Sequence, residues 1–211
     1  MKTSSRQSGF SLVEILVVVA IIAALVGMAV PIIQNAQDKA NSTTCKVNLS
    51  QMGKNFMLWK ERNKGRWPSR PEQSGIRFLL LLHRDGLIDG KDSTVFLCPG
   101  TNDVNWVEGE SNTPGTLYED WDDLDESTIS YAGRDVENYP INKNKEDEIV
   151  IAADDNDFRQ NHKFSTNYLY ADGATREFDI KDFAEELAEG EDWIPVGPDS
   201  PVEELQKLRI D

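Results

Sequence analysis

Residues 15 to 33, ILVVVAIIAALVGMAVPII, contain no charged side chain. Nineteen residues rising 1.5 Å each span about 28 Å as a helix, close to the hydrocarbon thickness of a bilayer. The segment therefore reads as a membrane-crossing helix. Ahead of it lie nine polar residues, MKTSSRQSG, with Lys2 and Arg6 as their charges. Basic residues on that flank favour a cytoplasmic N-terminus and place the rest of the chain, beyond the helix, outside the cytoplasm. Two residues do not suit a plain anchor. Glu14 sits inside the apolar block, where a carboxylate costs up to about 3 kcal/mol near the bilayer centre and calls for a partner. Pro31 removes a helix hydrogen bond and is expected to kink or locally melt the helix. A secretory signal cut near Ala29 and a simple single-pass anchor are the alternatives. An acid interrupting the apolar core speaks against the first.

The run Gly9-Phe10-Ser11-Leu12-Val13-Glu14, followed by the apolar helix and Pro31, resembles the signal of type IV prepilins and type II secretion pseudopilins. The resemblance implies cleavage by prepilin peptidase between Gly9 and Phe10 and N-methylation of Phe10. It also implies that Glu14 recruits the subunit by pairing with the Phe10 amine of a neighbour. Further implied partners are the chain itself, other pilin-like subunits, an inner-membrane assembly platform with its ATPase, and lipid before assembly. The expected fold is α+β and pilin-like, with a long N-terminal helix packed on a small antiparallel sheet. The expected organisation is a leader over 1–9, a transmembrane and polymerisation helix over 10–33, its amphipathic continuation over 34–64, and an extracytoplasmic head over 65–211. The chain is then a single-pass inner-membrane protein whose head lies in the periplasm or at the cell surface.

Beyond the apolar run the helical period continues. Cys45, Leu49, Met52, Phe56 and Trp59 recur at steps of 4, 3, 4 and 3, which makes one apolar stripe. Gly65-Arg66-Trp67-Pro68 ends that helix, and a second is expected over 74–85, stopped by Gly86. Thr94 to Leu97 reads as a short β-prone run. Strands are expected at Thr128–Ala132, Glu148–Ala153, Asn167–Ala171 and Ala174–Phe178, the last two joined by an Asp172-Gly173 turn. An amphipathic helix is expected over Ile180–Glu189 with Asp179 as its cap, and a capping box at Ser200-Pro201-Val202-Glu203.

His162, nine residues and then Asp172-Gly173 resemble the H-X9-DG module found near the C-terminus of many prepilin-type proteins. Those proteins commonly continue His-Val, whereas Ala174-Thr175 stand here. Cys45 with Asn48 to Gly53, and Phe96-Leu97-Cys98-Pro99, resemble other elements of the same proteins. Two readings of the module stand. In one it is a hairpin whose turn is Asp172-Gly173, with His162 bonded to a carbonyl or carboxylate. In the other, Asp154, Asp155, Asp157 and Asp172 supply the hard oxygen ligands that calcium takes, although not at EF-hand spacing. No cofactor is otherwise required. Two cysteines in an exported chain permit one bridge, Cys45 to Cys98, or two free thiols.

The net charge is -15; Lys2 and Arg6 add +2 and Glu14 -1, so the chain beyond the apolar block carries -16, including Tyr118 to Glu126, read as a solvated loop. Such a surface repels phosphate backbones, so no nucleic-acid partner is expected. The chain lacks a Gly-x-Ser-x-Gly elbow, a His-Glu-x-x-His helix and a phosphate loop, and is not expected to be an enzyme. The reading is a structural pilin or pseudopilin subunit, major or minor. A membrane-tethered H-X9-DG binding module is the alternative, and an anchored hydrolase the remotest one.

Overall fold

The computed structural model describes residues 12–101, 124, 128–156, 160–183, 185–187 and 193–210. The first element, α1 (Leu12–Arg62), is a single helical run that continues through Pro31 without a break in its helical assignment. The chain divides into two compact units, residues 1–37 and 38–211, and the division falls inside α1.

In the first unit the apolar side chains have no cover. Leu12 is 80% exposed, Leu25 63% and Ile33 61%. An 18-residue window of α1 reaches a mean hydropathy of 3.0, enough in length and composition to cross a membrane. Monomeric soluble proteins rarely leave contiguous apolar surface of this kind in water.

In the second unit, α1 buries one face. Cys45, Leu49, Met52 and Phe56 are fully buried and Trp59 nearly so, with Ser42 and Gly53 on the same face. These are the five side chains of the expected stripe. Each large apolar one removed from water contributes about 2 kcal/mol.

The stripe packs on a five-stranded antiparallel sheet in the order β4-β3-β2-β1-β5. Its strands are β1 (Tyr131–Arg134), β2 (Val150–Asp154), β3 (Ser165–Tyr170), β4 (Thr175–Asp179) and β5 (Leu208–Arg209). Tyr131, Ile151, Leu169 and Ala171 join the α1 side of the core. A second helix, α2 (Ile76–Arg84), adds Ile76, Phe78, Leu79, Leu80 and Leu82 to it, and Phe78 stacks on Phe56 at 4.6 Å. The contact between α2 and β1 is closest at Gly133. A Cβ there would lie 2.9 Å from the carbonyl carbon of Gly75 and closer still to its oxygen.

The far face of the sheet has its own core, which the sequence did not announce. Ala132, Val150, Ala153, Tyr168 and Tyr170 are covered by Ile194, Val202, Leu205 and Leu208 from the C-terminal segment. This second layer explains two departures from expectation. The Ser200 to Glu203 segment does not open a regular helix. Ser200 Oγ accepts from Val202 N at 3.2 Å, a tight turn covers Leu205–Lys207, and the chain then pairs as β5. Leu208 and Arg209 occupy the edge of β1, so the β-prone Thr94–Leu97 run has no strand to join there. Ser93–Phe96 winds into a 3-10 turn instead. Downstream of β4, Ile180–Phe183 is a 3-10 turn rather than the start of a regular helix, with Asp179 Oδ1 accepting from Lys181 N at 3.0 Å. Residues 184 and 188–192, in and just beyond the expected Ile180–Glu189 helix, lie outside the described residues, as does the acidic run apart from Leu124.

The C-terminal end of α1 is held by a charged node. Lys60 Nζ donates to both oxygens of Glu146 at 2.7 and 2.6 Å, and Trp67 Nε1 donates to Oε1 at 2.9 Å. Burial pushes the Glu146 carboxyl up, but the bonds from Lys60 and Trp67 outweigh it and hold the group below its ordinary range. A depressed carboxylate adds stability above its unfolded value and loses that contribution as pH falls through the folded one.

Two outcomes are expected in urea unfolding of the full chain in detergent. Gly133→Ala lowers stability by about 3 kcal/mol, because backbone rather than a flexible side chain blocks the new methyl. Glu146→Gln costs about 2 kcal/mol at neutral pH, and the gap to wild type closes as pH drops below about 4.

Candidate functional site

The polar centre of the head is built around Cys45 of α1. Asn41 and Asn48, one turn to either side, donate to the carbonyls of Pro99 and Leu97 at 3.3 and 3.0 Å. These bonds hold the Leu97-Cys98-Pro99 stretch against the helix. Cys45 and Cys98 are joined by a disulfide, with Cα atoms 5.5 Å apart and a separation of 53 in sequence. The bridge that the sequence left open is therefore closed.

His162 packs on this disulfide. Its Nε2 lies 3.3 Å from Cys98 Sγ, and the Gly100 amide donates to the same sulfur at 3.4 Å. Gly100 lets the loop close over the imidazole. A Cβ there would meet Asn161 O at 2.6 Å and His162 Cε1 at 3.2 Å.

Asp154, at the end of β2, approaches the same nitrogen, with Oδ2 3.8 Å from Nε2 and beyond hydrogen-bond reach. Asp154 Oδ2 accepts from Asn167 N at 2.7 Å and from Asn167 Nδ2 at 2.9 Å. Asn167 in turn donates to Ser42 Oγ at 3.2 Å. Asp155 Oδ1 accepts from Asn161 Nδ2 at 2.9 Å, and Asn156 Oδ1 accepts from Asn161 N at 3.0 Å. Lys163 N donates to Asp38 Oδ1 at 3.0 Å, which ties this loop back to α1.

Asp154 and His162 have fully buried side chains. Burial pushes the Asp154 carboxyl up to about 8, with Asp155 adding to the rise and the Asn167 bonds working against it. Burial pushes His162 down, with Asp38 opposing and Lys46 assisting. Both groups are thus neutral near pH 7, and their closeness is not an ion pair. Among the described residues, Asp154 Oδ1 and His162 Nδ1 are the buried side-chain polar atoms that lack a hydrogen-bond partner.

The two halves of the H-X9-DG spacing lie apart. Asp172-Gly173 forms the β3–β4 turn, with Asp172 Oδ1 accepting from Ala174 N at 2.8 Å and Gly173 at φ 89°. That turn rests on α1 at Gly53, where a Cβ would stand 3.3 Å from Gly173 Cα. His162 rests on the disulfide of Cys45, which lies about 12 Å back along the helix. The nine intervening residues are mostly β3, laid between two anchor points on one helix. His162 bonds neither a carbonyl nor a carboxylate; its near neighbour is sulfur.

Of the acids expected to bind calcium, Asp154 and Asp172 are set apart. Asp172 is exposed, and its amide bonds Glu146 O at 3.2 Å near the start of β2. Asp154 ends the same strand, about 13 Å away. Asp157 lies outside the described residues, as do Gly9 and Phe10. Glu14 is in the first turn of α1, on its uncovered apolar portion.

What sequence reasoning missed is the grouping of Cys98, His162 and Asp154. Their positions are far apart in the chain, and no short spacing signals them. The polar Asn41 and Asn48 flanking Cys45 on one helical face are the available hint.

The disulfide closes a loop of about 50 residues, nominally worth about 4 kcal/mol through the unfolded state. The double variant Cys45→Ala/Cys98→Ala is expected to lose that much in urea unfolding. Reducing agent should then lower wild-type stability toward the variant while leaving the variant itself unchanged.

Residues 4–30 match the Prokaryotic N-terminal methylation motif. Neither the comparison with curated proteins nor that with solved structures gave a match. The chain thus carries a prepilin-type N-terminal methylation motif that runs into an uncovered apolar helix, and the same α1 buries one face in an α+β head.

Proposed function

We propose that the protein is a structural, non-enzymatic subunit of a type IV pilus or a type II secretion filament. The observation that carries this reading is the methylation motif over residues 4–30, set directly on an α1 whose first unit exposes apolar side chains all round. That surface needs lipid before assembly and other apolar helices afterwards.

In this reading, prepilin peptidase cuts between Gly9 and Phe10 at the cytoplasmic face, and the freed Phe10 amine is methylated. Removing Lys2 and Arg6 with the leader takes away the charges that hold the N-terminus on the cytoplasmic side. Glu14 then meets the Phe10 ammonium of a neighbouring copy. In low dielectric a lone carboxylate is costly, so pairing gives directional attraction between subunits. Residues 65–211 form the head outside the inner membrane. The Cys45–Cys98 bridge supports that placement, because disulfides persist in oxidising compartments. The platform and its ATPase supply the work of extracting the helix from the bilayer.

The test is expression of Glu14→Ala in cells that carry a prepilin peptidase and assembly machine. The variant is expected to insert and to yield a mature chain starting at Phe10 by mass spectrometry. Its recovery in sheared filaments should fall at least about tenfold, the loss of roughly 1.4 kcal/mol per contact. Filament yield equal to wild type would reduce the helix to a tether for the head. A native N-terminus elsewhere than Phe10 would remove the reading altogether.

A further inference from the structure

We propose that Cys45, Cys98, Asp154 and His162 form a zinc site in the dithiol form of the chain, so that zinc and the disulfide are alternative occupants of one buried pocket. This inference does not depend on the filament reading.

One donor atom from each of the four residues lies within 4.8 Å of the others, and all four residues are buried. Tetrahedral zinc, with bonds of about 2.3 Å to sulfur and 2.0 Å to nitrogen or oxygen, spaces its donors about 3.3 to 3.8 Å apart. Cys98 Sγ to His162 Nε2 is 3.3 Å, and His162 Nε2 to Asp154 Oδ2 is 3.8 Å. Once the sulfur–sulfur bond is open, the two sulfurs part to about 3.7 Å, and the remaining donors, already within 4.8 Å of one another, draw in to complete the set.

The donors come from four segments that the fold already holds: α1, the loop after the 93–96 turn, the end of β2, and the loop before β3. Their surroundings suit a metal. Asn167 fixes the Asp154 carboxylate through two bonds, and the Gly100 amide points at the Cys98 sulfur. Such outer partners orient ligands and raise affinity. Two thiolates with an imidazole and a carboxylate are a borderline-soft set, which selects zinc over calcium.

The chain is synthesised with thiols, so the dithiol form comes first. Zinc binding displaces the two thiol protons and the Asp154 carboxyl proton to solvent, and Asp154 takes a proton back when the zinc leaves. Closing the disulfide takes two electrons from the two thiolates. A disulfide oxidant of the exporting compartment accepts them, leaves as two thiolates, and releases the zinc.

The test uses the full chain in detergent, reduced by a phosphine and titrated with cobalt(II), which reports tetrahedral thiolate sites by colour. One cobalt per chain is expected, with thiolate-to-cobalt charge-transfer and intense d–d bands that zinc abolishes. The disulfide form should show neither band. Asp154→Asn and His162→Gln, checked for folding by circular dichroism, should each weaken cobalt binding at least about tenfold. Absence of the charge-transfer band in the reduced wild type would overturn the proposal. So would unchanged affinity in both folded variants, which would mean two thiolates capturing metal without the pocket. Should either variant fail to fold, zinc-edge X-ray absorption of the reduced wild type decides. Two sulfur and two nitrogen or oxygen neighbours support the site, and any other coordination refutes it.

Discussion

The head depends on one face of α1 between Ser42 and Trp59. That face supplies apolar burial at Leu49, Met52 and Phe56, a covalent link at Cys45, polar bonds at Ser42 and a close backbone approach at Gly53. Each loop of the polar centre is fastened to α1 directly or through one intermediary. The Cys98 loop hangs on Asn41, Cys45 and Asn48, the His162 loop on Asp38, and β3 on Ser42. A sheet of five short strands with a two-residue edge strand has little independent stability. Here it is clamped between the helix on one face and the C-terminal segment on the other.

The polar centre combines features that are individually costly. A carboxyl and an imidazole are buried together without a mutual hydrogen bond, beside a disulfide. Burial keeps both neutral, which avoids the larger cost of a desolvated charge. Asn167 bridges Asp154 to Ser42 and so links the interior of the sheet to the helix. A purely apolar filling of this space would be simpler.

The features legible in the sequence are those written in local patterns. The stripe from Cys45 to Trp59 declares a helix face, because one face of an amphipathic helix repeats every 3.6 residues. Asp172-Gly173 declares a turn because glycine takes positive φ cheaply there. The motif from Gly9 to Glu14 is equally local. Features set by partners distant in the chain were not legible. Val202, Leu205 and Leu208 give no strand signal of their own; they pair and pack because β1 offers an edge and the sheet a bare face. The Thr94–Leu97 run has β propensity but makes a single backbone bond toward the sheet, from Ser130 N to Phe96 O, and otherwise winds into a 3-10 turn, so tertiary context overrides it. His162 and Asp154 meet only because β2 and the loop before β3 converge behind Cys98.

The placement of β3 between two supports on α1 sets a rule of length. A helix advances 1.5 Å per residue and a strand about 3.3 Å, so the chain from His162 to Gly173 holds more length than the helix between its two supports, and the loops that flank β3 take up the difference. His162 at the Cys45–Cys98 bridge and Gly173 at Gly53 mark the two supports. An insertion of one residue between them would carry the turn past its glycine seat. It would also turn the alternating side chains of the strand to the opposite face, putting Leu169 where Tyr168 belongs. The count of nine is thereby a matter of parity, set by a strand whose side chains alternate between a seat at each end.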